Sequence, residues 1–379
     1  MSIPTHQYAS TRSGFALPWP LPALVLMLIC SGARALPAHA QLAIIDLGTI
    51  PRCNRCVLPL EPGLLLGEPS GPGIIESASV GVIHSTTSGM YGIFQVGGDQ
   101  IALFDSTGAF VRRVGRRGPG PGEITRIIDA NFADSAIVIL DYLGPKLTRI
   151  DFLGRHLGDT RVDVQVGRFR VVSDTSIVIG SMDRRPSRVG LPLHQVSIPS
   201  GAVIRDFGSE SGEWSAFAPL GQSVNLGLSS VTDRIWSARS DRLRLEQWTI
   251  DGRRVSVITG VLPWFPKPQS EAVDGRPPTL LLRFGVDASE RLWLVVRVPD
   301  SSWPSVRRQG AEGLVYQRDY DRFWDTRVDV FDLGTSQHLG SVTWDDASVG
   351  LLSIRGEFAL YRVISQDVEP QVALYRLNH

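Results

Sequence analysis

Residues 101–114 read IALFDSTGAFVRRV. Ile101-Ala102-Leu103-Phe104 is a short apolar run, Asp105-Ser106-Thr107-Gly108 has turn composition, and Ala109-Phe110-Val111-Arg112-Arg113-Val114 leads out again. Short runs rich in β-branched and aromatic residues, bounded by Asp, Ser and Gly, specify a β-hairpin rather than a helix. Gly108 suits the turn because glycine takes a left-handed backbone without steric cost. Upstream, Gly92-Ile93-Phe94-Gln95-Val96 and a Gly-Gly-Asp turn supply a further strand.

The same unit recurs along the chain. It returns at 136–141 and 147–151 with a turn at Gly154, and at 176–179, 194–197 and 203–205 around Gly201. It returns again at 234–236, 243–248 and 255–258 around Gly252, at 292–296, 328–331 and 339–342 around Gly334, and at 358–363 and 372–377. The turn glycines 108, 154, 201, 252 and 334 are spaced 46, 47, 51 and 82 residues apart. The first three intervals match the period of roughly 40–50 residues expected of a four-stranded propeller blade. The last leaves room for a seventh blade, but it holds only one strong strand, Leu292 to Val298, so six blades with inserted loops are expected. The fold class is thus all-β: a six-bladed β-propeller of four-stranded antiparallel blades. The sixth unit lacks an outer strand. Residues 43–50, beginning Ala43-Ile44-Ile45-Asp46-Leu47, are expected to supply it as an N-terminal closing strand and so remove the open edges of the ring.

The segment Phe104 to Glu123 continues as Gly115-Arg116-Arg117-Gly118-Pro119-Gly120-Pro121-Gly122-Glu123. It resembles the NHL-type pattern of the six-bladed, TolB-like propeller superfamily, in its bacterial exported form, where a Phe-Asp hairpin is followed by a Gly-Pro-Gly-Glu connector into the next blade. The match is close in the first unit, fair in the second, and fades in the rest. The resemblance implies a fold more than a reaction. The glycine-rich run reads as a connector and not as a phosphate loop, because a strand pattern, Ile124 to Asn131, follows it in place of a helix.

Hydrophobic residues make up 43% and charged residues 20% of the 379-residue chain, an ordinary globular balance. Formal net charge is zero, which excludes the basic excess of a nucleic-acid binder. Residues 1–40 read as an export signal: Arg12, an apolar stretch from Phe15 to Cys30, then Ala38-His39-Ala40. Pro18, Pro20 and Pro22 argue against a permanent transmembrane helix. The mature domain is expected to span 41–379, with 36 basic and 38 acidic residues, in the periplasm or outside the cell. Its two cysteines, Cys53 and Cys56, are expected to form a small disulfide loop. No second cysteine pair is present for zinc, and Val57 stands where a haem attachment site needs His.

Two function classes follow. The favoured one is a non-catalytic module binding a protein, peptide or carbohydrate-like ligand, with no cofactor. The other is a metal-dependent hydrolase or lyase, similar to sugar lactonases, with its site at the channel mouth. Polar residues on the expected inner strands are His84, Asp129, Asn131, Arg168, Arg170, Asn225, Arg283 and Arg355; of these, Asp129, Asn131 and Asn225 carry the oxygen atoms a metal would need. No catalytic residue can be named, since neither G-x-S-x-G nor H-E-x-x-H occurs. Asp141 is expected to serve a structural hydrogen bond. Three long connectors, 208–222, 260–280 and the inserted loop 299–325, are expected on one face of blades four and five. They carry Trp214, Trp264, Trp303, Tyr316, Tyr320 and Trp324, side chains of the kind that anchor interfaces. These are the expected binding residues, unless the loops fold back on their own aromatics as a cap.

Overall fold

The computed structural model describes residues 42–378 except 54, 143, 166, 182, 184, 186, 209–223, 230–232, 266–275, 304–323, 346–348, 355 and 365–368. The expected signal segment, with Trp214, Tyr316, Tyr320 and Arg355, lies outside the described residues. Among the described residues no helix is long and apolar enough to cross a membrane.

Six antiparallel blades follow one another. Blade one is β3 (Val80–His84), β4 (Tyr91–Gln95), β5 (Ile101–Phe104) and β6 (Phe110–Val114). Blade two is β7 (Ile127–Phe132), β8 (Ile137–Asp141), β9 (Lys146–Ile150) and β10 (His156–Arg161). Blade three is β11 (Arg168–Ser173), β12 (Ser176–Gly180), β13 (Leu193–Ser197) and β14 (Val203–Phe207). Blade four is β15 (Val224–Ser229), β16 (Arg234–Arg239), β17 (Arg244–Thr249) and β18 (Arg254–Thr259). Blade five is β19 (Leu280–Val286), β20 (Arg291–Pro299), β21 (Trp324–Asp332) and β22 (Gln337–Trp344). Blade six is β23 (Val349–Ile354), β24 (Glu357–Ile364) and β25 (Gln371–Leu377), with β2 (Leu60–Leu66) outermost. The inner strands of blades four and five also touch, Leu228 beside Gly285 in parallel register, so their two sheets merge into one. Gly285 permits this approach: a Cβ there would sit 2.7 Å from Leu228 O and 2.6 Å from the Phe358 ring.

The core is divided among the blade interfaces. One cluster joins Ile83, Phe94 and Leu103 of blade one to Ile127, Ile137 and Ile139 of blade two, and equivalent clusters fill every interface up to five against six. The last joins Leu352, Tyr361 and Val363 of blade six to Val82, Tyr91 and Ile93 of blade one, so the ring is closed. Each middle strand is therefore covered on both faces. This explains why β8 and β12 are buried at every position and read as continuous apolar runs rather than as alternation.

The turn chemistry repeats as well. Asp105 Oδ1 accepts from Thr107 N at 2.8 Å and Ala109 N at 3.1 Å, with Gly108 at φ 88°. Asp151 Oδ1 does the same for Leu153 N and Arg155 N around Gly154. Asp287 repeats it inside blade five, for Ser289 N and Arg291 N around Glu290 at φ 59°. Asp141 has the expected structural role, accepting from Thr125 N, Thr125 Oγ1 and Arg126 N to fix the connector between blades one and two.

An N-terminal strand completes blade six, but it is not the expected one. Residues 43–50 do not reach that blade. Ala43–Asp46 (β1) pairs in parallel with β18 on the outside of blade four, Ala43 opposite Ser256 and Asp46 opposite Thr259. A short 3₁₀ turn, Leu47–Thr49, then drops Leu47 and Ile50 into the interface of blades four and five. The Cys53–Cys56 disulfide follows, and Cys56 O and Leu58 N bond Ser341 on the rim of blade five. Only then does β2 run antiparallel to β25, Leu60 opposite Leu377 and Leu66 opposite Val372. Pro62-Gly63 disguises β2 as a loop. Proline lacks the N–H a ladder needs and is tolerated only on an edge or at a bulge. Here it has both: β2 is the outermost strand, and its register shifts between Pro62 and Leu65.

Candidate functional site

The six inner strands β3, β7, β11, β15, β19 and β23 surround a channel containing a cavity of about 140 Å³ that opens to solvent. Alternate residues of a strand share a face, so Arg168 and Arg170 both reach this cavity from β11. Arg283 joins them from β19, and Asp129 and Asn131 from β7. Asn225 on β15, His84 on β3, Ser353 on β23 and Tyr361 on β24 add further polar groups.

Asp129 is the one carboxylate among the described residues that line the cavity. Its Oδ2 accepts from Phe169 N at 3.0 Å, and its Oδ1 accepts from Ala130 N at 3.1 Å and lies 3.5 Å from Arg168 Nη1. Asp129 thus ties blade two to blade three and offsets one positive charge. Asn131 Nδ2 donates to Phe169 O, and Asn225 Nδ2 to Ser240 Oγ and Leu281 O, so these amides also staple neighbouring blades. The fold does bring Asp129, Asn131 and Asn225 to one cavity, as a metal site requires. It surrounds them with guanidinium groups, which repel a cation.

Among the described residues, Arg170 and Arg283 hydrogen-bond only to neutral main-chain carbonyls. Arg170 donates to Phe169 O at 3.0 Å and reaches across to Leu226 O of blade four at 3.3 Å, and its Nε is buried with no hydrogen bond among the described residues. Arg283 donates to Leu282 O at 2.7 Å. Burial, and then repulsion from Arg168, pulls Arg283 down to about 10; burial also lowers Arg170. Arg283 therefore stays charged near neutral pH. The sequence carried the signal for this group as four Arg, 168, 170, 283 and 355, against the single Asp129 among the polar residues of the expected inner strands.

Of the six loop-face aromatics, three are described. Trp324 opens β21 and is buried, its Nε1 donating to Pro278 O at 3.2 Å. Trp264 is half-buried, edge-on to Phe265 and stacked on Arg327 with the guanidinium 5.3 Å from the ring centroid. Trp303 is half-buried. Beside them, burial and the neighbouring Asp300 and Asp345 push the Asp325 carboxyl up to about 6. Between about pH 4 and 6 the folded chain therefore holds a proton that the unfolded chain has released, and stability falls as pH rises through that window. Asp325→Asn should raise the thermal midpoint at pH 7.5 by roughly 1–3 °C and leave it unchanged at pH 4. Equal shifts at both pH values in a thermal melt would contradict this.

Residues 83–176 match a family, DUF5128, described as a 6-bladed beta-propeller. The chain is similar in fold to a Bacteroides fragilis protein assigned as exported, with TM-score 0.58 and 10% identity over 89% of this chain and all of that one. It is also similar to a member of the duf4221 family of Bacteroides vulgatus, with TM-score 0.59 and 8% identity over 85% of this chain and 99% of that one. The fold is a six-bladed β-propeller. No curated protein sequence matches the chain. At such identities the likeness fixes the fold alone, so the site has to be read from its own residues.

Proposed function

We propose that this propeller is an exported, non-catalytic binding module whose ligand enters the central channel. The observation that carries the reading is the state of Asp129. The one carboxylate of the described lining is occupied by Phe169 N, Ala130 N and Arg168, and the remaining charge around it is positive. That wall suits capture of a ligand better than activation of a metal-bound water, so it favours binding over the metal-dependent hydrolase or lyase. Export is part of the proposal. It rests on the leader-like residues 1–40, the Cys53–Cys56 disulfide and the fold shared with a Bacteroides protein assigned as exported. The NHL-type, TolB-like reading of residues 104–123 belongs to it too. The loop face would form the rim for a protein, peptide or carbohydrate-like partner, through the half-exposed Trp264 and Trp303 together with Trp214, Tyr316 and Tyr320.

Metal analysis of the purified protein tests the choice between classes. The expected result is no stoichiometric divalent ion and a thermal midpoint that does not move on chelation. About one divalent ion per chain, lost with stability when chelator is added, would reverse the choice.

A further inference from the structure

We propose that the channel binds a small oxyanion, a carboxylate or phosphate group held by Arg170 and Arg283. The inference rests on the channel being the ligand site and adds the chemistry of what it takes.

Each guanidinium has five N–H donors in a fixed plane and cannot shed its charge at physiological pH. Arg170 uses two of its donors and Arg283 one on main-chain carbonyls, so among the described residues most of the fork on each side chain is uncommitted. Neither makes an ion pair among the described residues; the one carboxylate at hand, Asp129, lies within pairing distance of Arg168 only. Charges partly withdrawn from water are ordinarily paired. Arg170 and Arg283 are part-buried in the cavity wall, where positive charge outweighs the single carboxylate, and a counter-ion offsets their mutual repulsion. An oxyanion meets the requirement geometrically, since carboxylate and phosphate oxygens match the guanidinium fork. The cavity, about 140 Å³ and open to solvent, admits a phosphate or carboxylate group. The two arginines stand on rigid inner strands of blades three and five, with Arg170 braced across blade four by Leu226 O. Their positions are therefore set before a ligand arrives.

Calorimetric titration with inorganic phosphate and with citrate, at ionic strength matched with potassium chloride, tests the assignment. Saturable binding by at least one of them is expected. It should weaken about 10-fold or more in Arg170→Gln and in Arg283→Gln, the loss of a charge-assisted hydrogen bond. It should be unchanged in Arg161→Gln, an exposed position on the outer strand of blade two. Arg170→Lys, which keeps the charge but not the fork, should fall between. Preference for phosphate points to a phosphate ester, and preference for citrate to a carboxylic acid. Circular dichroism checks folding of each variant; if Arg170→Gln unfolds, Arg283→Gln decides alone. Absence of saturable binding by both probes, or binding that survives Arg283→Gln, overturns the oxyanion site. With metal analysis blank, that result leaves the binding module standing; a stoichiometric divalent ion would instead remove the reading on which the site rests.

Discussion

Removing residues 41–66 should abolish cooperative unfolding of the whole domain, not merely loosen one end. The deletion takes away β2 and turns β25 into an open edge. It also removes Leu66, Leu58, Leu47 and Ile50 from three different blade interfaces. In a ring each interface is braced by the others, so one gap exposes the apolar faces on both sides of it. Point variants separate closure from mere attachment. Leu66 is fully buried between blades six and one, and Leu66→Ala should cost about 2–5 kcal/mol. Ile44 on β1 is 68% exposed, and Ile44→Ala should change stability by less than about 0.5 kcal/mol. Denaturant titration reads both. The reverse order would mean that the strand on blade four, and not the one on blade six, holds the ring together.

Asp287→Ala should cost about 3–5 kcal/mol, far more than the same change at Asp105. The two residues build the same turn, so the difference reports the burial of Asp287 and its extra side-chain bonds. Asp105 sits at a partly exposed rim and bonds main-chain N–H groups and Thr107. Asp287 is 2% exposed, and besides Ser289 N and Arg291 N it accepts from Arg291 Nε at 2.7 Å and Trp293 Nε1 at 3.0 Å. Trp293 is completely buried in the interface with blade six, edge-on to Phe358. Removing the carboxylate strips a buried indole N–H and a guanidinium of that acceptor and loosens the five–six interface. Asp105→Ala loses rim hydrogen bonds that water replaces, at a small fraction of that cost. Similar costs for the two variants in parallel denaturant titrations would contradict this account.

Most of the fold was legible because the repeat writes itself in turn chemistry. The Asp-x-x-Gly hairpins at 105–108 and 151–154, and the glycines at 201 and 252, mark hairpins by a local backbone need that neighbours do not change. Closure was legible as a need but not as an address. Ala43-Ile44-Ile45-Asp46 has better strand composition than Leu60-Glu61-Pro62-Gly63, yet pairing partner is a long-range property that propensity does not encode. Trp324 illustrates the same limit. Composition grouped it with loop aromatics, while its place in β21 buries it under Pro278. For the channel, sequence could put Arg168, Arg170 and Arg283 on inner strands. Whether each finds a carboxylate depends on a residue some 40 to 150 positions away, and only the assembled ring brings Asp129 to Arg168 and leaves the other two on carbonyls.

The most direct test of the cationic channel is a crystal structure grown with selenate and measured at the selenium edge. The account predicts an anomalous peak inside the channel, within hydrogen-bond distance of Arg170 and Arg283 and lost in the Arg283→Gln variant. Selenate bound only at surface arginines, or a cation coordinated by Asp129 and Asn131 in the channel, would contradict it.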